Sequence, residues 1–254
     1  MELTVLGKSP SWQDSDGACS AYLVRESGFA LMLDCGSGAF AKLRTAIDYL
    51  DLDAILVTHM HPDHTLDLIP FACALSYSPR RIGGRGGTRP ALHVPAGGRA
   101  TLRRLGGAFD DEEMIERAFP LAEYAPADEV ELGPLRARFC EVPHFIRAFA
   151  AELRHGDGPR LTFGADCGPN EALQRFAVGA DLLVLEATQE VAGDGFRGHM
   201  TAREAGELGR RAGVGRLLVS HFSDELDRDR VRAEAVAGFG REVELAYAGA
   251  RVVV

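Results

Sequence analysis

Hydrophobic positions along this chain fall into short runs separated by polar or helix-forming segments. Residues 2–6, 19–24 and 29–34 read as strands, the last two joined by a turn at Glu26-Ser27-Gly28. A helix follows at about 40–50. The run Ala54-Ile55-Leu56-Val57 is too short for a helix and β-branched enough for a buried strand. Pro70 marks a fresh helix start, because a proline inside a helix breaks its ladder. A strand at 91–94 precedes helices at 98–105 and 110–118, the second with the acidic start Asp110-Asp111-Glu112-Glu113. Strand-like runs then cover Leu121–Tyr124, Leu135–Val142, 148–153 and 161–165. Helix 170–178, strand 181–185, helix 202–212, strand Arg216–Ser220, helix 227–237 and strands 242–246 and 250–254 finish the chain. This alternation is an α/β pattern. With no linker, low-complexity tract or solenoid repeat, one domain over 1–254 is expected.

Composition narrows the function classes. At 254 residues and 46% hydrophobic content the chain can bury a substantial core. Its net charge of −9 argues against a general affinity for nucleic acid or anionic membrane. Five cysteines (Cys19, Cys35, Cys73, Cys140, Cys167), odd in number and without C-x-x-C spacing, speak against a disulfide framework and against cysteine-bound zinc. No stretch approaches the ~18 apolar residues of a membrane span, and no basic-then-apolar leader opens the chain. A soluble cytoplasmic protein is expected; the letters leave a homodimer open.

The chemistry concentrates after strand 54–57, where His59-Met60-His61-Pro62-Asp63-His64 reads H-x-H-x-D-H. On an extended chain residues two apart point the same way, so His59 and His61 can reach one point, while Asp63 and His64 face a second. His144, Asp166 and His221 each follow an apolar run, at the edge where sites are commonly built. Zinc takes imidazole and carboxylate readily, and manganese or iron accepts the same donors. His59, His61 and His144 would hold one divalent ion and Asp63, His64 and His221 a second, with Asp166 bridging them through its two oxygens. A hydroxide between the ions would be the nucleophile. The charges left over suit a small anionic substrate, although such centres also hydrolyse neutral esters and lactams. Asp34 reads as a cap for the loop or helix after it, or as an outer partner of the site. Residues 79–90 carry Arg80, Arg81, Arg85 and Arg89 among glycines, and read either as a plain connection or as a flap that grips an anion.

With these residues in hand, the chain resembles the metallo-β-lactamase superfamily over essentially its whole length. The resemblance implies a four-layer αββα sandwich, two mixed sheets face to face with helices outside. Leu185-Glu186-Ala187-Thr188, His199-Met200-Thr201 and the ending Ser220-His221-Phe222-Ser223 are similar to its ribonuclease Z-like branch, with Leu185 standing where that branch has a histidine. The resemblance implies that Glu186 orients or charges His199 and that His199 is the general acid, so Asp63, Glu186 and His199 are the candidate catalytic residues. Asp67, where many relatives have glycine, would hold the free nitrogen of a ligand histidine or be a plain surface acid. Only 21 residues separate His144 from Asp166, too few for the tRNA-binding arm of ribonuclease Z. Hydrolysis of a small phosphodiester such as a cyclic nucleotide is therefore expected ahead of tRNA 3′-end cleavage or of lactone or thioester hydrolysis.

Overall fold

The structure is a computed structural model and describes residues 1–82 and 89–254. Among these residues the strands form two seven-stranded sheets. The first is built from β1 (Glu2–Gly7), β2 (Ala21–Glu26), β3 (Phe29–Leu33), β4 (Ala54–Leu56), β5 (Ala91–Pro95) and β6 (Leu121–Tyr124). The second is built from β7 (Glu129–Leu132), β8 (Leu135–Val142), β9 (Ala148–Arg154), β10 (Arg160–Phe163), β11 (Leu182–Glu186), β12 (Arg216–Ser220) and β13 (Glu244–Leu245). The last strand, β14 (Arg251–Val253), crosses back to pair antiparallel with β1. The orders are β14-β1-β2-β3-β4-β5-β6 and β13-β12-β11-β10-β9-β8-β7. Each sheet is antiparallel over one half and parallel over the other, the change falling at β3 and at β10.

Parallel pairs need crossovers, and helices supply them. In the first sheet these are α1 (Ala39–Ala46), α2 (Pro62–Thr65), α3 (Leu68–Tyr77), α4 (Pro79–Ile82), α5 (Gly98–Gly107) and α6 (Met114–Ala118). In the second they are α7 (Glu171–Phe176), α8 (Ala202–Ala212) and α9 (Arg228–Phe239). Helix α8 has the cleanest ends. Thr201 and Glu204 form a reciprocal capping box at its start, and Gly213 takes the left-handed conformation at its end.

Both faces of the central strands are apolar, so three cores result. Leu31 and Leu33 on β3 face inward with Tyr22 and Val24, meeting Phe139, Phe149 and Val184 of the opposite sheet. The alternate residues Met32, Leu23 and Ile55 pack outward under Phe40, Leu43, Phe71 and Leu75. On the far side Leu183, Leu185 and Val219 lie under Leu173, Leu208, Ala212 and Phe239. The order helices, sheet, sheet, helices is the αββα sandwich expected from the resemblance. No described helix is long and apolar enough to cross a membrane.

Several elements differ from the pattern-based expectation, among them α4 (Pro79–Ile82), which opens the segment read as a connection or flap. The acidic run 110–113 is turn, and α6 begins only at Met114. Strand β7 has no counterpart in that reading, because Glu129-Val130-Glu131-Leu132 is an edge strand with one fully buried side chain.

Candidate metal centre

Strands β3, β4, β10, β11 and β12 deliver their C-terminal ends to one rim, and β8 runs with β10 because both are antiparallel to β9. The two sheets touch there. Phe149 N donates to Thr58 O at 3.2 Å, and His59 pairs antiparallel with Ala148. Asp34, His221 and the Ala165 that precedes Asp166 all adopt left-handed backbone, φ 56°, 48° and 54°. Each such residue costs roughly 1–2 kcal/mol in an L-amino acid. Non-glycine strain at three strand ends around one point marks a site the surrounding structure holds in place.

Two groups of donors face each other at this rim. The donor atoms of His59, His61 and His144 lie within 4.8 Å of one another, as do those of Asp63, His64, Asp166 and His221. His144 Nε2 is 2.9 Å from His61 Nδ1. Asp166 Oδ2 is 3.3 Å from His64 Nε2, 3.4 Å from His221 Nε2 and 3.8 Å from His59 Nε2. Asp166 Oδ2 therefore faces both groups. Asp63 Oδ2 closes the second group at 3.3 Å from His221 Nε2.

The outward nitrogens of these rings have partners that fix their tautomers. His144 Nδ1 donates to Gly198 O at 2.7 Å and His64 Nδ1 to Asp34 Oδ2 at 2.6 Å. The Thr58 hydroxyl donates to Asp34, leaving its oxygen to accept from His59 Nδ1 at 3.1 Å. Thr188 Oγ1 donates to His221 O and accepts from His221 Nδ1 at 3.0 Å. The neutral rings then turn an Nε2 lone pair inward; burial opposes a charge on His64, but Asp166 and Asp34 outweigh it and hold that imidazole well above its usual range while no cation is bound. His59 Nε2 and His221 Nε2 are buried without a hydrogen-bond partner among the described residues. Orphaned imidazole nitrogens beside converging carboxylates are what a divalent cation satisfies, so the donor set fits the metals that the sequence implied. Burial holds His59, His61 and His144 below the usual imidazole range, which keeps them in the neutral, ligating form.

Glu186 and His199 sit beside this double cluster. Glu186 is buried, and its Oε1 accepts from Cys167 N at 2.8 Å and from His199 Nδ1 at 2.9 Å, while Oε2 accepts from Thr188 N at 3.2 Å. Burial works against a charge on His199, but the hydrogen bond and charge of Glu186, with the charges of Asp166 and Asp63, outweigh it and hold this imidazole above its ordinary range. Its ring lies 4.9 Å from that of His144 and is nearly parallel to that of His221 at 6.1 Å. With Nδ1 taken, Nε2 is the nitrogen left for a substrate.

Glycine at two positions lets the loops close. A Cβ at Gly36 would meet Asp63 O at 1.9 Å, so only glycine lets the loop after β3 press on the turn that carries Asp63. A Cβ at Gly198 would meet the Phe145 ring at 2.6 Å and His144 Nδ1 at 3.0 Å.

The outer residues trade the roles expected of them. Asp34 does not cap α1, whose N-cap is Gly38; it holds His64 directly and His59 through Thr58. Asp67 does not meet a ligand histidine: its Oδ2 accepts from Phe40 N at 2.8 Å in the first turn of α1, a cap supplied from another helix. Arg80, expected on an anion, forks onto Asp48 with Nη1 at 2.9 Å, which is a structural tie. Arg81 lies half-buried in α4 and Arg89 is exposed, while Arg85 lies outside the described residues. Leu185 is core. Sequence reasoning gave no role to Thr58, Thr188, Gly198 or Lys8. The two threonines adjoin motif residues, and that adjacency was the available signal.

Comparison with known proteins agrees with this geometry. The Bacillus subtilis protein named "Probable metallo-hydrolase YhfI" is 28% identical over 254 residues, 98% of each chain. Its crystal structure, titled a metallo-beta-lactamase fold protein, superposes with a TM-score of 0.89 at 26% identity, covering 99% of this chain and 98% of that one. Ribonuclease Z of Thermobifida fusca is 31% identical over 309 aligned positions, covering 100% of this chain and 94% of the relative. The family model described as the beta-lactamase superfamily domain matches residues 30–222, and the chain belongs to that superfamily.

Proposed function

We propose that this protein is a dinuclear metal-dependent phosphodiesterase acting on a small phosphodiester such as a cyclic nucleotide. Hydrolysis is the reaction class of its family, and the curated relative YhfI is named a metallo-hydrolase. His59, His61 and His144 would hold one divalent ion, zinc being the first candidate, and Asp63, His64 and His221 the other, with Asp166 common to both. Such ions supply Lewis acidity, polarising the phosphoryl group and making water a competent nucleophile near neutral pH.

The observation that carries the phosphodiester reading is the Glu186–His199 pair, held at 2.9 Å next to both donor groups. An alkoxide leaving from phosphorus is a poor leaving group and needs a proton as the P–O bond breaks. His199 donates it from Nε2 and Glu186 stabilises the cationic imidazole through Nδ1; a linear diester gives a phosphomonoester and an alcohol, and a cyclic one opens to a single phosphomonoester that carries the freed hydroxyl. Thr188 N and Cys167 N fix the carboxylate, so the pair is oriented before substrate arrives.

A ribonuclease Z-type reading is supported by the 31% identity to a relative of that name, covered over 94% of its length, and by the motifs similar to that branch. The interval from His144 to Asp166 speaks against it. It holds β9, a tight turn at Asp157 and β10, and the 309 aligned positions of that comparison exceed this chain's 254 residues, so the relative carries insertions. With a net charge of −9, a polyanion also gains little from counterion release. The test is turnover of cyclic nucleotides, a bis-aryl phosphodiester, precursor tRNA and a lactone panel by zinc- or manganese-loaded protein. Cyclic nucleotide hydrolysis is expected; lactone turnover without phosphodiester cleavage would overturn the proposal.

A further inference from the structure

Large apolar side chains gather in the open beside the metal centre. Phe145, the residue after His144, is 61% exposed, and Phe196, in the loop leading to His199, is 66% exposed. Leaving two phenylalanines in water contributes nothing to the core, and adjacent exposed aromatics mark a contact surface. The two rings lie 6.0 Å apart at 73°. Phe145 is also 5.3 Å from the His144 ring and 5.8 Å from the His199 ring. Its position is built: the backbone of Gly198, which accepts from His144 Nδ1, leaves room for the ring only because it has no Cβ. A molecule whose phosphate sits at the donor clusters and whose leaving oxygen meets His199 must therefore pass its next few atoms across this lip.

We infer that Phe145 and Phe196 are specificity-determining residues that stack on a flat aromatic portion of the substrate, as a nucleobase offers, flanking the scissile phosphodiester. This rests on the phosphodiesterase reading and names the residues that select the substrate within it. Arg80 does not carry the same inference, since it is committed to Asp48. An aromatic lip selects a planar group through its π-face and is tolerant of which base it meets.

The test compares adenosine 3′,5′-cyclic phosphate with the 3′,5′-cyclic phosphate of 1-O-methylribose, which has the same scissile bonds and no base. In the wild type kcat/KM favours the nucleotide. In Phe145→Leu/Phe196→Leu, which keeps apolar bulk but no flat face, the ratio of the two kcat/KM values falls by roughly ten-fold, mostly through KM. Equal changes for both substrates, or an unchanged ratio, would overturn the assignment. Equilibrium binding of both compounds to metal-free protein reads the lip without turnover. Tighter binding of the nucleotide, lost in the double variant, is expected even if neither compound is hydrolysed, in which case the phosphodiesterase reading falls and the lip stands. Equal binding of both by the wild type overturns the lip whatever the turnover assays give.

Discussion

Asp34 Oδ2 lies 2.6 Å from His64 Nδ1, and the same carboxylate reaches His59 through the Thr58 hydroxyl at 3.0 Å. One fully buried acid thus sets the ring orientation of a histidine in each donor group. Asp34 also receives Thr58 N at 2.8 Å and Ser20 Oγ at 3.1 Å, so it is itself immobile. Asparagine in its place keeps one acceptor and turns an N–H toward a partner that already donates. Asp34→Asn should lower metal affinity about 10- to 100-fold, the range for outer partners of metal ligands. Competition against a chelator measures this, and unchanged affinity would remove Asp34 from the site.

The pairing of Glu186 with His199 separates binding from proton transfer. His199→Ala should keep its metals, because none of the seven proposed ligands changes, yet lose roughly 10²- to 10⁴-fold in rate on unactivated alkyl phosphodiesters. Activated aryl esters, whose leaving groups need little help, should suffer far less. Equal losses on the two series would show that His199 does not act as the acid.

The same pair makes a pH statement for the metal-free protein. Burial lowers the His199 imidazole, but Glu186, with the nearby Asp166 and Asp63, more than compensates, so its midpoint stands above the ordinary 6.5. A raised folded value means that the pair stabilises the fold below pH 6.5 and that this contribution is lost as pH rises through the folded midpoint. Replacing Glu186 by glutamine removes the charge and weakens the hydrogen bond that raise it, so the midpoint should fall. Histidine NMR titration of the two proteins decides it, and an unmoved midpoint would contradict the pairing.

Lys8 is a buried cation in service of His221. Its Nζ lies 2.5 Å from both Asp14 Oδ2 and Phe222 O and 4.1 Å from the Phe222 ring centroid. Asp14 Oδ1 in turn accepts from Asp224 N at 3.0 Å. Together they clamp the turn in which His221 holds its left-handed backbone, φ 48°. Lys8→Met should cost about 2 kcal/mol of stability, the scale of a lost charged hydrogen bond, and should loosen the group that contains His221. Denaturant melts and metal competition check the two effects. A stable variant with unaltered metal affinity would argue that the clamp is incidental.

Much of this centre was legible because its chemistry is dense in the chain. Four potential ligands within His59–His64 announce themselves, and His144, Asp166 and His221 could be ranked because each follows an apolar run. The strand order was not legible: β14 returns to the first sheet beside β1, a pairing across nearly the whole chain that no local pattern encodes. Nor were the outer partners. Asp34 and Asp67 look alike as acids near helix starts, and their exchange of roles depends on where the loop after β3 meets α2 and α3. Strand β7 was missed because one buried side chain among four gives periodicity nothing to work on.

On this account His59, His61, Asp63, His64, His144, Asp166 and His221 together form one dinuclear centre. Elemental analysis of protein purified without chelators tests it most directly, together with His221→Ala. The wild type should carry about two divalent ions per chain and the variant about one. One ion or none in the wild type after reloading with zinc or manganese, or an undiminished content in His221→Ala, would contradict it.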